Sequence, residues 1–247
     1  MSVVVAIARK ELALYFRSFL FYGLAAVFLV LAGYRFYTNL GFFVLMGGMD
    51  LPLGLWQYQL LDVQALLLVL VPLLTMRLLA EERKLGTLEL VWTYPVRDVE
   101  IVAGKFAGCC AVVLLLLAAT AIHPVLLARL HPVAPGPLVA GYLGLALLGA
   151  AFVACGLFAS ALTESQVIAA AVAYGLLFFF WIVTWNEAAV GETALRVLVP
   201  LSLFDRFYPF ARGAIDTRNV VFLLVFTAAF LAFTFFALDT RRWRGIR

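Results

Sequence analysis

Pro72-Leu-Leu-Thr-Met-Arg77-Leu-Leu-Ala-Glu81-Glu82-Arg83-Lys84-Leu-Gly86-Thr87-Leu-Glu89-Leu-Val-Trp-Thr-Tyr-Pro95 is the densest run of charge in an otherwise very apolar chain. Residues 59–80, which run into it, are predominantly apolar, and a second apolar run opens near Val99. A helix needs roughly 20 such residues to cross the hydrocarbon of a bilayer. The stretch therefore reads as the loop between two spans. Its own signals divide it. Gly86 suits the left-handed residue just past a helix end, and Arg83 and Lys84 favour the negative pole of that helix. Thr87 can cap a new helix, with Glu89 in its first turn. Tyr94-Pro95 closes that helix, because the residue before proline disfavours helical geometry. A helix of about six residues, with Leu88, Val91 and Trp92 on one face, is too short to stand alone. It needs a neighbour or a partner to pack on.

Composition agrees with a membrane protein. Of 247 residues, 66% are hydrophobic and 13% charged, with a mean hydropathy of +1.07. A soluble domain has about 45–50% apolar and about 25% charged residues. The net charge of +4 fits the basic bias of cytoplasmic loops. No basic stripe with interleaved aromatics points to nucleic acid. Cys109, Cys110 and Cys155 lie inside apolar runs without metal-ligand spacing and read as small packing residues.

Six spans are expected, at about 19–37, 59–80, 99–131, 138–162, 167–185 and 219–238. Residues 1–18 read as an interfacial helix, with Arg9, Lys10 and Arg17 opposite Val4, Ile7 and Tyr15. Glu11 breaks that pattern and is expected either to bond a neighbour such as Tyr15 or to meet a specific polar partner. Arg35 is expected to snorkel to the headgroups. Residues 38–58 read as a loop with interfacial aromatics, among them Trp56. Pro72 should kink the second span. Asp98 is expected to cap the third, with Glu100 in its first turn. Pro135-Gly136-Pro137 reads as a turn. Gly104 and Gly108 form a GxxxG spacing, and Gly141, Gly144 and Gly149 mark a close-packing face of the fourth span. Residues 186–218 mix charges and aromatics and read as an extracytoplasmic re-entrant or amphipathic segment. With both termini inside, twelve of the 18 basic residues fall on the cytoplasmic side, as the positive-inside rule asks.

The chemistry that is missing narrows the function. No G-x-x-x-x-G-K-[ST] occurs, so the chain carries no P-loop of its own. There is no G-x-S-x-G and no H-E-x-x-H. His123 and His131 are too far apart for short-range metal ligation, and His123 reads as facing a helix neighbour. The middles of the spans hold almost no ionisable residues, whereas ion-coupled carriers use them as relays. The chain reads as a non-enzyme whose driving energy comes from elsewhere.

Pro72-x-x-Thr75-Met76-Arg77, Glu81-Glu82-Arg83-x-x-Gly86-Thr87-x-Glu89-Leu90, Tyr94-Pro95-Val96 and Gly104-Lys105-Phe106 resemble the membrane subunit of type-2 ABC transporters. Within that group the chain is most similar to the gliding-motility-associated (GldF-like) permeases, which the NosY-like permeases also resemble. Arg9-Lys10-Glu11-Leu12 resembles the family's N-terminal connector. Phe204, Phe207, Phe210, Gly213, Ile215 and Asp216 resemble its segment before the last span. The resemblance implies an all-α, polytopic, single-domain permease of the bacterial cytoplasmic membrane, with a coupling helix in the loop at 81–98. It implies two copies of a separate ABC ATPase, which bind ATP and magnesium that this chain does not, and a second permease copy. A membrane-anchored auxiliary subunit is also implied. The residues implied to couple ATP hydrolysis to movement are Glu81, Glu82, Arg83, Gly86, Thr87, Glu89, Pro95 and Lys105. Export of an unknown substrate is expected. The alternatives are a mechanical subunit of an envelope complex without a transported substrate, and an ATP-independent carrier or channel.

Overall fold

The structure, a computed structural model, describes residues 2–45, 51–87, 97–129, 135–182 and 201–244, with the side chains of 51–53, 182 and 241–244 excepted. All regular structure in these residues is helical. The helices are α1 (Val3–Arg17), α2 (Phe19–Leu45), α3 (Leu51–Thr75), α4 (Ala80–Lys84) and α5 (Asp98–Thr120). After them come α6 (Ile122–Ala128), α7 (Pro135–Leu162), α8 (Gln166–Ile182), α9 (Leu203–Ala211) and α10 (Thr217–Arg244).

Among the described residues, five helical segments are long and apolar enough to cross a membrane: Phe19–Leu45, Gly54–Lys84, Asp98–Ala128, Pro135–Leu162 and Thr217–Thr240. The shorter apolar helix Gln166–Trp181 covers most of the remaining expected span. Its expected last residues, 183–185, lie outside the described residues.

The bundle is built around α7. Its apolar window is 72% buried, against 17% for α2 and 22% for α10, which form the rim. Small residues make that central position possible, because each lets a neighbour approach closely. Gly141 faces Leu60 of α3, Gly144 faces Phe210 of α9, Gly149 faces Val113 of α5, and Gly156 faces Thr75 of α3. A methyl group at Gly144 would lie 2.6 Å from Phe210 Cβ. The small residues of α7 thus seat three different helices rather than one.

Several boundaries differ from the sequence expectation. α2 continues to Leu45 and α3 begins at Leu51, so most of 38–58 is helix, not loop. Gly41 alone does not stop a helix within an apolar run, and Asp62 ties the two extensions together. It accepts from Arg35 Nη2 at 2.6 Å and from Asn39 Nδ2 at 2.7 Å. Arg35 therefore pairs with a carboxylate in addition to any reach toward headgroups. Trp56 is buried, not interfacial, and stacks on Phe36 at 6.1 Å between ring centroids. His123 stacks on the same Phe36 at 4.9 Å.

The third span is broken at Ala121, between α5 and α6, where Pro124 cannot donate back to Thr120. Its cap is Arg97 rather than Asp98. The Glu100 carboxylate accepts from Arg97 N at 3.0 Å, the reach-back half of a capping box. Pro135-Gly136-Pro137 opens α7 instead of turning before it. First-turn N–H groups have no helical partner, so prolines cost little there.

Of the segment 186–218, the described part contains α9. Ser202 caps it, accepting from Asp205 N at 3.2 Å, and Leu203, Phe207 and Phe210 are buried. Gly213 ends it at φ +83°.

Candidate functional site: a charged junction of three helices

α1 lies along the first turns of α5, and glycines make the approach possible. A Cβ at Gly104 would lie 2.7 Å from Ile7 Cβ, and one at Gly108 would lie 2.8 Å from Glu11 Cβ and 3.1 Å from Ala8 O. The GxxxG spacing therefore seats the amphipathic N-terminal helix, not a second span. Between the two glycines stands Lys105, which the same contact buries.

Lys105 Nζ lies 2.7 Å from Glu11 Oε1 and 2.9 Å from Glu82 Oε2. The other oxygen of Glu82 lies 3.0 Å from Lys10 Nζ. The order Glu11, Lys105, Glu82, Lys10 alternates in sign and sums to zero charge. It joins α1, α4 and α5. The Lys105 side chain is only 3% exposed and that of Glu11 only 6%, whereas Lys10 is 56% exposed. Taking an isolated ammonium this far from water costs several kcal/mol, which two carboxylates at hydrogen-bonding distance can offset. Burial works against the charge of Lys10, but the Glu82 carboxylate and its hydrogen bond outweigh that and raise the Lys10 pKa above its ordinary value. It stays cationic at neutral pH.

A second set of contacts secures α1 next to this ladder. Tyr15 is buried, and its hydroxyl donates to Leu74 O of α3 at 2.8 Å. The Arg77 guanidinium lies over the Tyr15 ring at 4.5 Å and donates to Ser18 Oγ at 2.9 Å. Burial pushes the Tyr15 hydroxyl well above its usual pKa, so it remains a neutral donor. Of the two readings of Glu11, the structure has the specific partner: Tyr15 turns to Leu74, and Glu11 takes Lys105.

The junction surrounds a cavity of about 290 Å³ lined by Leu14, Arg77, Glu81, Leu85 and Thr87 together with the ladder residues. Of the residues singled out for coupling, Glu81, Glu82, Thr87 and Lys105 come together on its wall. Arg83 sits in the last turn of α4, and Gly86 follows at φ +67° with its N–H on Arg83 O at 3.0 Å. Thr87 donates backwards, from its hydroxyl to Glu82 O at 3.2 Å. It satisfies a carbonyl at the end of α4, a contact that N-cap reasoning does not anticipate. Glu89 and Pro95, with the rest of the expected short helix, lie outside the described residues.

Sequence reasoning gave Lys10 and Tyr15 no partner on α4 or α3. Lys10 looked like part of a basic face, and Tyr15 like part of the apolar one. Only the arrival of α4 and α3 on either side gives them partners. Among the described residues no group of His, Cys, Asp and Glu could hold a metal ion.

Residues 5–243 match the sequence profile of the family described as ABC-2 family transporter protein. Among curated proteins no sequence matches the chain.

Proposed function

The chain belongs to the ABC-2 transporter family, as a multi-pass permease subunit, and we propose that it is the export-type membrane half of a complex driven by a separate ABC ATPase. In this reading the spans number six, both termini are cytoplasmic, and the membrane is the bacterial inner membrane. Two copies pair with two ATPase subunits, and a GldF-like auxiliary subunit accompanies them. The loop at 81–98 receives the ATPase, and Glu82 and Lys105 carry its displacement into α1 and α5.

The observation that supports this most is the alternating ladder from Glu11 to Lys10. It ties the first turn of the loop to the helix that follows the loop and to the N-terminal helix, all within 3.0 Å contacts. A push on the loop cannot move α4 alone. The absence of a P-loop motif from the sequence gives the partner its task, since ATP must be bound elsewhere. The basic residues on the proposed inner face support the orientation. The apolar row on α2, including Phe19, Val30 and Tyr37, offers a surface for lipid or the second copy.

The test is to purify the tagged chain from its native membrane and assay the complex for ATP hydrolysis. Gly86→Pro is then introduced, since proline cannot adopt the positive φ of that residue. Membrane insertion should persist while ATP hydrolysis falls several-fold or the ATPase is lost. No co-purifying ATPase in the parent, or an unchanged complex and unchanged hydrolysis in the variant, would sink the proposal.

A further inference from the structure

Between α3 and α4 the second span is broken rather than bent. Pro72 has no N–H to give Leu68, and the Thr75 hydroxyl bonds back to Val71 O at 3.0 Å, a pattern that bends helices. Met76 N still reaches Pro72 O at 2.9 Å, but Leu78 N takes Thr75 O at 3.0 Å, one residue short of the α pattern. The ladder resumes with Arg83 N on Leu79 O at 3.0 Å.

Ser160 of α7 occupies the gap. Its hydroxyl donates to Met76 O at 3.1 Å and accepts from Ala80 N at 3.0 Å. Those are the two groups that a continuous helix would bond to each other, since they stand four residues apart. The same oxygen also accepts from Leu79 N at 3.0 Å. One donor and two acceptor sites are all a hydroxyl has, and all three are used. The side chain is fully buried. One turn earlier on the same face of α7, Gly156 receives the Thr75 side chain. Gly156 and Ser160 together form a socket that holds the break from both sides.

We propose that the Ser160 hydroxyl is a removable wedge that positions the arm carrying Glu82. With the wedge seated, the second span is broken at residues 76–79 and α4 points as it does here. With the wedge withdrawn, Met76 O and Ala80 N close on each other and Leu79 N returns to Thr75 O. α3 and α4 then become one helix, and α4 and Glu82 are re-aimed. The seated arrangement pairs Met76 O, Leu78 N, Leu79 N and Ala80 N. A continuous helix would pair the same four groups within itself, which favours either one over an open backbone in a membrane interior. That makes them two discrete seats rather than a continuum. A side chain inserted in the i to i−4 ladder is an established cause of a sharp kink, and small shifts become large ones where packing has two solutions. Ser160 is thus a positioning residue: it acts on the arm and touches no substrate. The device rests on the chain's own contacts and holds whether or not an ATPase docks on the arm.

The experiment uses the full chain in lipid nanodiscs without any partner. Nitroxide labels at Val5→Cys on α1 and Leu85→Cys beyond α4, both at exposed positions, report the arm's position by pulsed dipolar spectroscopy. The chain without these two cysteines controls for labelling at Cys110. The Ser160 chain should give one narrow distance population. Ser160→Ala removes the wedge and should move the major population to a new, separate maximum. Ser160→Cys keeps the shape with a somewhat larger atom and loses most of the hydrogen bonding, so it should populate both maxima. Unmoved distributions in both variants overturn the proposal. So does a mere broadening with no new maximum, which reports loosened packing, and so does a Ser160→Ala chain that fails to fold beside an unmoved Ser160→Cys chain.

Discussion

At the α1 end of the bundle, Glu11, Lys105, Glu82 and Lys10 each sit within 3.0 Å of an opposite charge. About ten residues back along α3 from Leu74, Gln64 is fully buried with neither end of its amide paired. Farther along the same direction, Trp56 Nε1, Gln59 Oε1 and His123 Nδ1 are buried without partners as well. The four charges of the junction are thus paired, and several neutral polar groups of the same bundle are not. Energetics explains why that division is tolerable. An unpaired buried amide costs about 1–3 kcal/mol, whereas breaking one partner from a buried ion pair costs about 3–5 kcal/mol. Charges at the junction therefore enforce one arrangement of three helices. The neutral groups impose a smaller penalty, spread along the helices.

The largest effect should follow from breaking the paired end. Lys105→Met leaves Glu11 without its cation and Glu82 with only the half-exposed Lys10. The loss of stability should be about 3–5 kcal/mol, read as the midpoint of thermal unfolding by tryptophan fluorescence in detergent. Adding Glu11→Gln and Glu82→Gln to the same chain should recover most of it, because the uncompensated charges are then gone. A Lys105→Met chain as stable as the parent would mean that the ladder does not hold the helices together.

The next effect acts on the seat rather than the charges. Gly108→Val places methyl groups where Glu11 Cβ and Ala8 O already stand. Overpacking of this kind costs about 1–3 kcal/mol. It should also lift α1 and expose Lys105, so an amine-reactive reagent should modify Lys105 faster than in the parent. Gly23→Ala is the control. Nothing lies within 4 Å of an added Cβ there, and alanine in place of a helical glycine gains up to about 1 kcal/mol. Equal behaviour of the two variants would remove the argument for a close approach at Gly108.

Much of the bundle was legible because apolar runs of span length leave few alternatives. The ends of the helices were less so. Nothing between Thr38 and Leu45 is strong enough to stop α2, and the residue that rewards its extension, Asp62, stands 23 positions beyond Asn39. The junction was legible only in pieces. Glu11 was conspicuous as a carboxylate on an apolar face, and Glu82 and Lys105 as members of the motifs that resemble type-2 ABC permeases. Their meeting is a contact between residues 94 positions apart, and no local period encodes it. Ser160 left no signal, since one hydroxyl in a run of small residues looks like packing until the broken ladder of α3 is set beside it.

The unpaired side should respond in the opposite sense. Gln64→Leu replaces two unsatisfied polar atoms by a side chain of similar volume, so the midpoint should stay level or rise, by about 1 kcal/mol at most. A fall as large as that from Lys105→Met would show that Gln64 has a partner in the assembled protein, and the contrast between the two regions would then fail.

The smallest effect is expected where Arg35 meets Asp62. The pair is short, at 2.6 Å, yet the Arg35 side chain is 51% exposed, and in contact with water such pairs contribute about 0.2–1 kcal/mol. Asp62 also keeps the Asn39 amide when arginine is removed, so Arg35→Ala strands no carboxylate. Its loss should be close to the detection limit at low salt and vanish at high salt, because exposed pairs are screened. The Lys105 effect should persist at both. Measuring the two variants at both salt concentrations separates a buried junction from a half-exposed pair that is no longer, 2.6 Å against 2.7 Å. A salt-independent loss of several kcal/mol at Arg35 would place its cluster, too, out of reach of solvent and make both ends of the bundle alike.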